Sequence, residues 1–308
     1  MSLANTKKTF GKALACVLAA ALLLTAAGCG STTTLTQTNT ATITATATAT
    51  STATVTTPTT ATATVSGPTA TVTTTIERVT LNVSAAASLS KVIEELNAAY
   101  TKDRPWVNIV LNTGSSGTLQ VQIENGAPCD VFLSAAAAQM NNLENKGLLA
   151  DGTRRNLLNN KIVLVVPSNS TLGLTGFADL ALPKVTKIAI GDPASVPAGA
   201  YAQQTFDLFG ITSQVQSKYV LGADVTAVLA YVESGSVDAG IVYATDALGS
   251  NKVKVIASAP DTINALVVYP VAIIKSSKVK EAAQEYINFL ASAEAMAIFE
   301  KYGFSKAV

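Results

Sequence analysis

From residue 79 onward the sequence alternates short apolar runs with amphipathic segments, and this alternation limits the possible folds more than any other feature. The run 79–85, VTLNVSA, is typical of a strand, and the next segment places Val92, Leu96 and Tyr100 at helical spacing. Repeated strand–helix alternation is typical of mostly parallel sheets that are covered by helices on both faces. We therefore predict an α/β fold for residues 79–308, a length sufficient for two lobes.

The other predicted strands are short runs rich in Val, Ile and Leu, at 107–113, 130–135, 161–167, 187–193, 239–244, 252–257 and 265–274. The periodicity predicts helices at 198–209, 224–234, 278–291 and 293–301, and two earlier ones that bury Leu119 with Ile123 and Met140 with Leu143.

The N-terminal segment has the pattern of a secretory signal. Three lysines precede the apolar run 13–24, which is too short to span a bilayer. The sequence AAGC that follows resembles the lipobox of bacterial lipoproteins. We predict a lipoprotein signal peptide at 1–28 and lipidation of Cys29, which would anchor the protein to the cell membrane on its extracytoplasmic side. Plain secretion is the alternative.

Residues 29–76 are dominated by Thr with Ala, Ser and Val, and 30–75 carry no charge. Large apolar side chains are too few for a core, and Pro58 and Pro68 interrupt the Thr–Ala alternation. We predict a disordered tether between the lipidated Cys29 and the folded body.

Composition excludes several kinds of site. The chain has no His, which removes the commonest general base and the commonest metal ligand. A formal net charge of +1 argues against nucleic acid as a partner. Of three cysteines, Cys16 would leave with the signal peptide and Cys29 would be acylated. Cys129 is then alone, and we predict a buried, inert thiol rather than a nucleophile.

The junctions between predicted strands and helices share one chemistry: small residues, hydroxyl groups and no cations. Ligands of α/β folds gather at such junctions, where exposed backbone N–H groups begin each helix. The candidate ligand-binding residues at the five junctions are Ser88, Ser116, Ala198, Val225 and Tyr243. Helix capping is the alternative role of Ser88, and a core position is the alternative for Tyr243.

A cavity walled by these groups would offer donors only. A fully ionised tetrahedral oxyanion, such as molybdate, tungstate or sulfate, has only acceptor oxygens and suits them. Phosphate keeps a proton near neutral pH and would need a carboxylate acceptor. Asp130, Asp192 and Asp246 lie near the junctions, but strand-end and capping roles explain them.

The residues at these junctions resemble the molybdate-binding proteins of bacterial ABC importers across nearly all of 79–308. The resembling motifs are AAASL (85–89), SSGTL (115–119), GAPCDVFLSA (126–135), GDPASVPAGAYA (191–202), ADVTAVLAYVESG (223–235), GIVYATDA (240–247) and YGF (302–304). After FLSA, members of that family often carry an acidic residue, where this chain continues AAAQM.

The resemblance implies a periplasmic-binding-protein fold that closes on molybdate or tungstate and delivers it to the permease subunits of an ABC transporter. Ligand contacts carry over to the hydroxyls and N–H groups of Ser88 and Ser116, the N–H groups of Ala198 and Val225, and the Tyr243 phenol. Lobe one would comprise 79–165 plus 268–308 and lobe two 166–267, with hinge crossovers near 165–167 and 267–270.

We therefore expect a monomeric oxyanion receptor without a cofactor, in which metal is bound only as the oxyanion. A receptor for sulfate or another tetrahedral oxyanion is the alternative within the class. A phosphate-ester hydrolase with Ser116 as nucleophile is a remote alternative, because no His and no Lys near any junction could serve as its base.

Overall fold

The computed structural model describes residues 78–307 in full and, before them, the backbone of Ala20–Ala21, Ala41–Thr48, Thr54–Val55, Thr60–Ser66 and Thr69–Ile76. Apart from Ala20–Ala21, the predicted signal peptide lies outside the described residues, as does the predicted lipidation site Cys29. None of the helices described is long and apolar enough to span a membrane.

The N-terminal unit contains strands within the stretch predicted as a disordered tether. Ala41–Thr48 and Thr60–Ser66 both pair antiparallel with Thr69–Ile76. Ala20–Ala21 pairs with Thr54–Val55 in the same sense. This differs from the prediction because strand pairing satisfies backbone groups without large apolar side chains, and β-branched Thr favours an extended backbone. A second compact unit follows, from Thr80 to Val308.

Strands are numbered here from Val79. They are β1 Val79–Ala86, β2 Val107–Gly114, β3 Val131–Leu133, β4 Arg155–Asn159, β5 Ile162–Pro167, β6 Ile188–Gly191, β7 Tyr219–Gly222, β8 Ala239–Tyr243, β9 Val253–Ser258, β10 Val268–Ile273 and β11 Ser305–Lys306. The α-helices are α1 Ser90–Lys102, α2 Ser116–Glu124, α3 Ala137–Asn145, α4 Pro197–Leu208, α5 Thr212–Val215, α6 Val225–Glu233, α7 Ala244–Leu248, α8 Asp261–Asn264, α9 Lys280–Leu290 and α10 Ala293–Lys301. Short 3₁₀ helices lie at Ala87–Leu89, Phe177–Ala181 and Gln216–Lys218.

Two sheets organise these elements. A six-stranded sheet has the order β11-β4-β10-β3-β1-β2, and a five-stranded sheet has the order β7-β6-β8-β5-β9. Helices α1, α2, α3, α9 and α10 belong with the first sheet, and α4, α6, α7 and α8 with the second. These assemblies are called the six-stranded lobe and the five-stranded lobe below. The predicted α/β class is confirmed.

Strand directions are mixed rather than mostly parallel. The pairs β1–β3, β6–β7 and β6–β8 are parallel, as predicted for strands joined through helices. Strands β5 and β10 run antiparallel to both of their neighbours. The chain reaches both β5 and β10 directly from the other lobe. Neither strand therefore follows a helical crossover within its own sheet, the connection that makes successive strands parallel.

The chain passes between the lobes twice. It leaves the six-stranded sheet after β4 and enters the five-stranded sheet with β5, through Asn160 and Lys161. It returns between β9 and β10. The lobe boundary predicted after residue 165 falls inside β5, which pairs with β8 and β9 along its length. The first crossing therefore lies earlier in the chain than the sequence indicated.

The amphipathic faces pack as their periodicity predicts. Val92, Leu96 and Tyr100 of α1 are at most 1% exposed. In the six-stranded lobe, Leu119 of α2 and Met140 of α3 lie in one core cluster with residues of β3 and β10. This packing fixes the first turns of the helices against the strand ends that precede them.

Candidate ligand-binding site

The five predicted binding residues line one small cavity between the two lobes. Its volume is about 10 Å³, which is room for one water molecule. The lining consists of Ala86, Ala87, Ser88, Gly114, Ser115, Ser116, Ala135, Val196, Pro197, Ala198, Asp224, Val225 and Tyr243. The structure thus brings together all five residues from separate strand–helix junctions.

On the six-stranded lobe, the start of α2 separates a capping serine from a cavity serine. The Oγ of Ser115 accepts a hydrogen bond from the N–H of Thr118 at 3.2 Å and caps the helix. The next residue, Ser116, is 1% exposed, and its Oγ accepts from the N–H of Ala135 at 2.9 Å. Since that oxygen already accepts a bond, the Ser116 hydroxyl hydrogen is available to donate into the cavity.

Ser88 does not cap the first helix. It lies inside the 3₁₀ turn Ala87–Leu89, and α1 begins two residues later without a side-chain cap. Its Oγ instead lies 2.9 Å from the phenol oxygen of Tyr269. The capping alternative is therefore wrong for this residue, and its half-buried hydroxyl lies at the cavity wall.

The five-stranded lobe contributes two helix N-termini. Pro197 and Ala198 are the first two residues of α4, and Val225 is the first residue of α6, which Asp224 caps through a 2.9 Å bond from the N–H of Ala227. Backbone N–H groups in a first turn have no partner within the helix, and they form the positive end of the helix dipole. Ala198 and Val225 are buried at the cavity wall, so their N–H groups can serve an anion.

Tyr243 ends β8 and is both a buried residue and a cavity residue. Its ring is 1% exposed, and its hydroxyl donates to the carbonyl oxygen of Ala135 at 3.3 Å, across to the other lobe. Burial raises the pKa of the Tyr243 phenol well above its ordinary value. The phenol therefore keeps its proton near neutral pH, and its single hydrogen, which here lies on the Ala135 carbonyl oxygen, would turn to the ligand on binding.

The lobes contact each other directly beside the cavity at Gly117. Its N–H donates to the carbonyl oxygen of Ser195 at 2.9 Å. A Cβ atom at this position would lie 2.5 Å from that oxygen and 2.8 Å from the Cα of Ser195. Only glycine permits so close an approach of the two backbones.

No Lys or Arg lines this cavity, as predicted, although Lys91 lies near the first junction and lines the larger cavity that shares Ser88. Asp130 accepts from the backbone and side chain of Asn82 at 2.8 and 3.0 Å, and Asp192 accepts from the N–H of Ala194 at 3.0 Å. Asp130 thus has the predicted strand-end role, whereas Asp192 bonds within the turn that precedes α4 and does not cap that helix. Asp224 is a lining carboxylate that sequence reasoning placed only as a helix cap.

Sequence reasoning also missed the wall formed by Ala86, Ala135 and Val196. Small or aliphatic residues at strand ends and helix caps carry no chemical signature of their own. Ala135 could have been found from its position at the end of the run FLSA, where its N–H and carbonyl groups meet Ser116 and Tyr243.

A larger cavity of about 350 Å³ shares Ala87 and Ser88 with the first one. Lys91 and Asp246 are among its lining residues. The N–H of Tyr243 donates to Asp246 at 3.1 Å, which confirms the predicted capping role of this carboxylate. Burial raises the pKa of Asp246 to about 7, although the Tyr243 N–H and the Lys91 charge act in the opposite direction.

The site lacks the arrangement of a serine hydrolase. Among the described residues, the hydroxyl of Ser88 contacts a phenol and that of Ser116 a backbone N–H, and neither contacts a carboxylate or an amine. A nucleophilic serine needs such a base within hydrogen-bond reach. Cys129 is buried as predicted, and burial raises the pKa of its thiol to about 11, which keeps it inert.

Residues 81–305 match the family model described as bacterial extracellular solute-binding protein. The chain is 45% identical over 229 residues to the putative ABC transporter substrate-binding lipoprotein YvgL of Bacillus subtilis, covering 74% of this chain and 87% of that protein. It is 35% identical over 228 residues to the molybdate-binding protein ModA of Haemophilus influenzae, covering 73% and 89%.

The fold is similar to that of a solved structure, the substrate-binding domain of a putative molybdenum ABC transporter from Clostridium difficile. The TM-score is 0.59 at 39% sequence identity, and the match covers 74% of this chain and 99% of that one. These similarities cover the residues that form both sheets and the cavity between them.

Proposed function

The chain belongs to the bacterial extracellular solute-binding protein family, and we propose that it captures molybdate outside the cytoplasm and delivers it to an ABC permease. Its homologues are solute-binding proteins and not enzymes. The family and its relatives show that the chain is a substrate-binding protein of an ABC transporter with a two-lobed fold. The identity of the solute is the proposal.

One observation carries the choice of an oxyanion. Hydroxyls, a phenol and first-turn N–H groups from both lobes converge on one cavity that no cation lines. Such a site stabilises negative charge through several hydrogen bonds and helix dipoles instead of a salt bridge. Ser88, Ser116, Ala198, Val225 and Tyr243 are proposed as the ligand contacts, and molybdate is what the named relatives ModA and the molybdenum transporter domain support.

Three further features belong to the same proposal. Tungstate, another tetrahedral oxyanion that has only acceptor oxygens, would bind the same donors. The two lobes would open and close about the crossings at 160–161 and 259–267, and the closed form would dock on the permease as a monomer. Cys29 would carry a lipid anchor, in keeping with the name of the Bacillus relative.

Sulfate is the second candidate, because the cavity is small. With about 10 Å³ of space between the lobes, the smaller tetrahedral anion needs less displacement of the lining. A sulfate receptor would use the same donors and the same closure.

The test measures the free energy of unfolding of the purified chain with molybdate, tungstate, sulfate or phosphate in the buffer. A ligand at a hundredfold excess over its Kd adds about 2.7 kcal/mol. We expect this increase for molybdate and tungstate once their concentrations exceed the Kd a hundredfold. An increase for sulfate alone would transfer the function to the second candidate.

A further inference from the structure

The hydroxyl of Ser88 belongs to a chain of buried and partly buried hydrogen bonds that begins at the crossing between the lobes. The Oδ1 of Asn160 accepts from the N–H of Lys161 at 2.8 Å. A backbone N–H can only donate, so this bond fixes which atom of the amide is oxygen. The Nδ2 of Asn160 therefore donates, to the Oγ1 of Thr245 at 2.9 Å and to the phenol oxygen of Tyr269 at 3.1 Å.

The hydroxyl hydrogen of Tyr269 needs an acceptor. Its ring is 1% exposed, and its oxygen already accepts from Asn160. Within the described residues, the Oγ of Ser88 lies 2.9 Å from the phenol oxygen, and the Tyr243 hydroxyl, which also interacts with this phenol, gives its own hydrogen to the Ala135 carbonyl oxygen. If Ser88 donated in this bond, the phenol hydrogen would be buried without an acceptor, which is costly. The phenol therefore donates and Ser88 accepts.

The direction of this bond decides the role of Ser88. With its oxygen accepting from Tyr269, the Ser88 hydrogen turns away from the phenol, and Ser88 lines the cavity. Similarly, the Oγ of Ser116 accepts a hydrogen bond from the N–H of Ala135 on the same lobe. Both serines thus have a fixed donor behind them and present a hydrogen to the space between the lobes.

We infer that Tyr269 and Asn160 are positioning residues that hold the Ser88 hydroxyl as a donor to the bound oxyanion. The inference rests on the proposed function, because it assigns these residues to the same binding site. Neither residue lines the cavity, so both act through Ser88. Preorganised donors bind a charged ligand more tightly, since they need not reorient when it arrives.

A double-mutant cycle tests the inference through coupling, which a merely structural role would not produce. Molybdate affinity is measured by calorimetry for the full chain and for Tyr269→Phe, Ser88→Ala and the double variant. In the chain that keeps Ser88, Tyr269→Phe should weaken molybdate binding about tenfold, which is the low end of the range for the loss of a hydrogen bond to a charged group. In the Ser88→Ala background the same change should cost less than about twofold, because the residue it acts through is gone.

Tyr286→Phe is the matched control. Tyr286 is a fully buried tyrosine of the same lobe whose hydroxyl donates to the Oδ1 of Asn97 at 2.6 Å, and it does not line the cavity. We expect this variant to lose thermal stability, as Tyr269→Phe does, with unchanged molybdate affinity. Equal losses for Tyr269→Phe in both Ser88 backgrounds, or no loss in either, would overturn the inference.

A different result, obtained with the unaltered chain, would contradict the proposed function. If the unaltered chain bound sulfate and not molybdate, molybdate would be excluded as the solute. The same cycle, carried out with sulfate, would then decide whether Tyr269 acts through Ser88.

Discussion

At the scale of single residues, Ser116 gives the simplest test of a ligand contact. Its oxygen accepts from the N–H of Ala135, and its hydrogen is available to the cavity. Ser116→Ala should weaken molybdate binding by about 1.5–3 kcal/mol, the value of a hydrogen bond to a charged group. Calorimetry measures the change. Ser292→Ala is the control, because Ser292 caps α10 and does not line the cavity; an affinity of Ser116→Ala equal to that of the control would remove Ser116 from the site.

Asp246 predicts a pH dependence of stability. Its pKa is raised from an ordinary value of 3.8 to about 7 by burial, and Asp224 raises it while Lys91 lowers it. Between these values the folded chain holds a proton that the unfolded chain has released. The contribution of Asp246 to stability is therefore lost as the pH rises from about 4 to about 7 and is constant above.

The variant Asp246→Asn removes this titration. Relative to the unaltered chain, its free energy of unfolding should increase steadily between about pH 4 and pH 7 and then level off. Urea unfolding at several pH values measures the difference. A difference that does not change with pH over that range would show that the carboxyl does not titrate there.

At the scale of elements, the start of α2 and the loop before α4 form the contact that closes the cleft. A methyl group at position 117 would lie 2.5 Å from the carbonyl oxygen of Ser195, and that neighbour is backbone. We expect Gly117→Ala to hold the lobes apart and to weaken molybdate binding at least about tenfold.

Two measurements separate closure from folding in that variant. Calorimetry gives the affinity, and small-angle scattering shows whether molybdate still reduces the radius of gyration. Gly176→Ala is the control, since a Cβ at residue 176 meets nothing within 4 Å. A Gly117→Ala variant that binds and contracts like this control would refute the role of the contact.

The sequence predicts most elements, and the exceptions have physical reasons. The apolar runs at β1, β2, β3, β5, β6, β8, β9 and β10 were predicted, because buried strands need continuous or alternating Val, Ile and Leu. Strands β4 and β7 were missed, since RNLLN and YVLG are short and only partly buried. The antiparallel directions of β5 and β10 could not be predicted, because they depend on crossings between lobes and not on local pattern.

At the scale of the whole molecule, the convergence of the candidate site required more than local patterns. Strand-end chemistry places Ser88 and Ser116 on one sheet edge and Tyr243 on another. Their shared donor-only chemistry predicted that these edges wall one cavity, and the assignment of the edges to two lobes came from the family resemblance. The chain of hydrogen bonds from Asn160 through Tyr269 to Ser88 was not predicted, since Asn160 and Tyr269 are 109 residues apart and belong to no sequence motif.

The central claim is that the cavity between the lobes binds molybdate, and direct titration calorimetry tests it best. Trp106 precedes β2 at the end opposite Ser115 and Ser116, so its fluorescence is a poor reporter of the site. Titration of the purified chain with molybdate should give saturable binding of one oxyanion per chain, with a Kd in the micromolar range or below. Absence of any heat of binding at millimolar molybdate, from a chain that is folded, would contradict the claim.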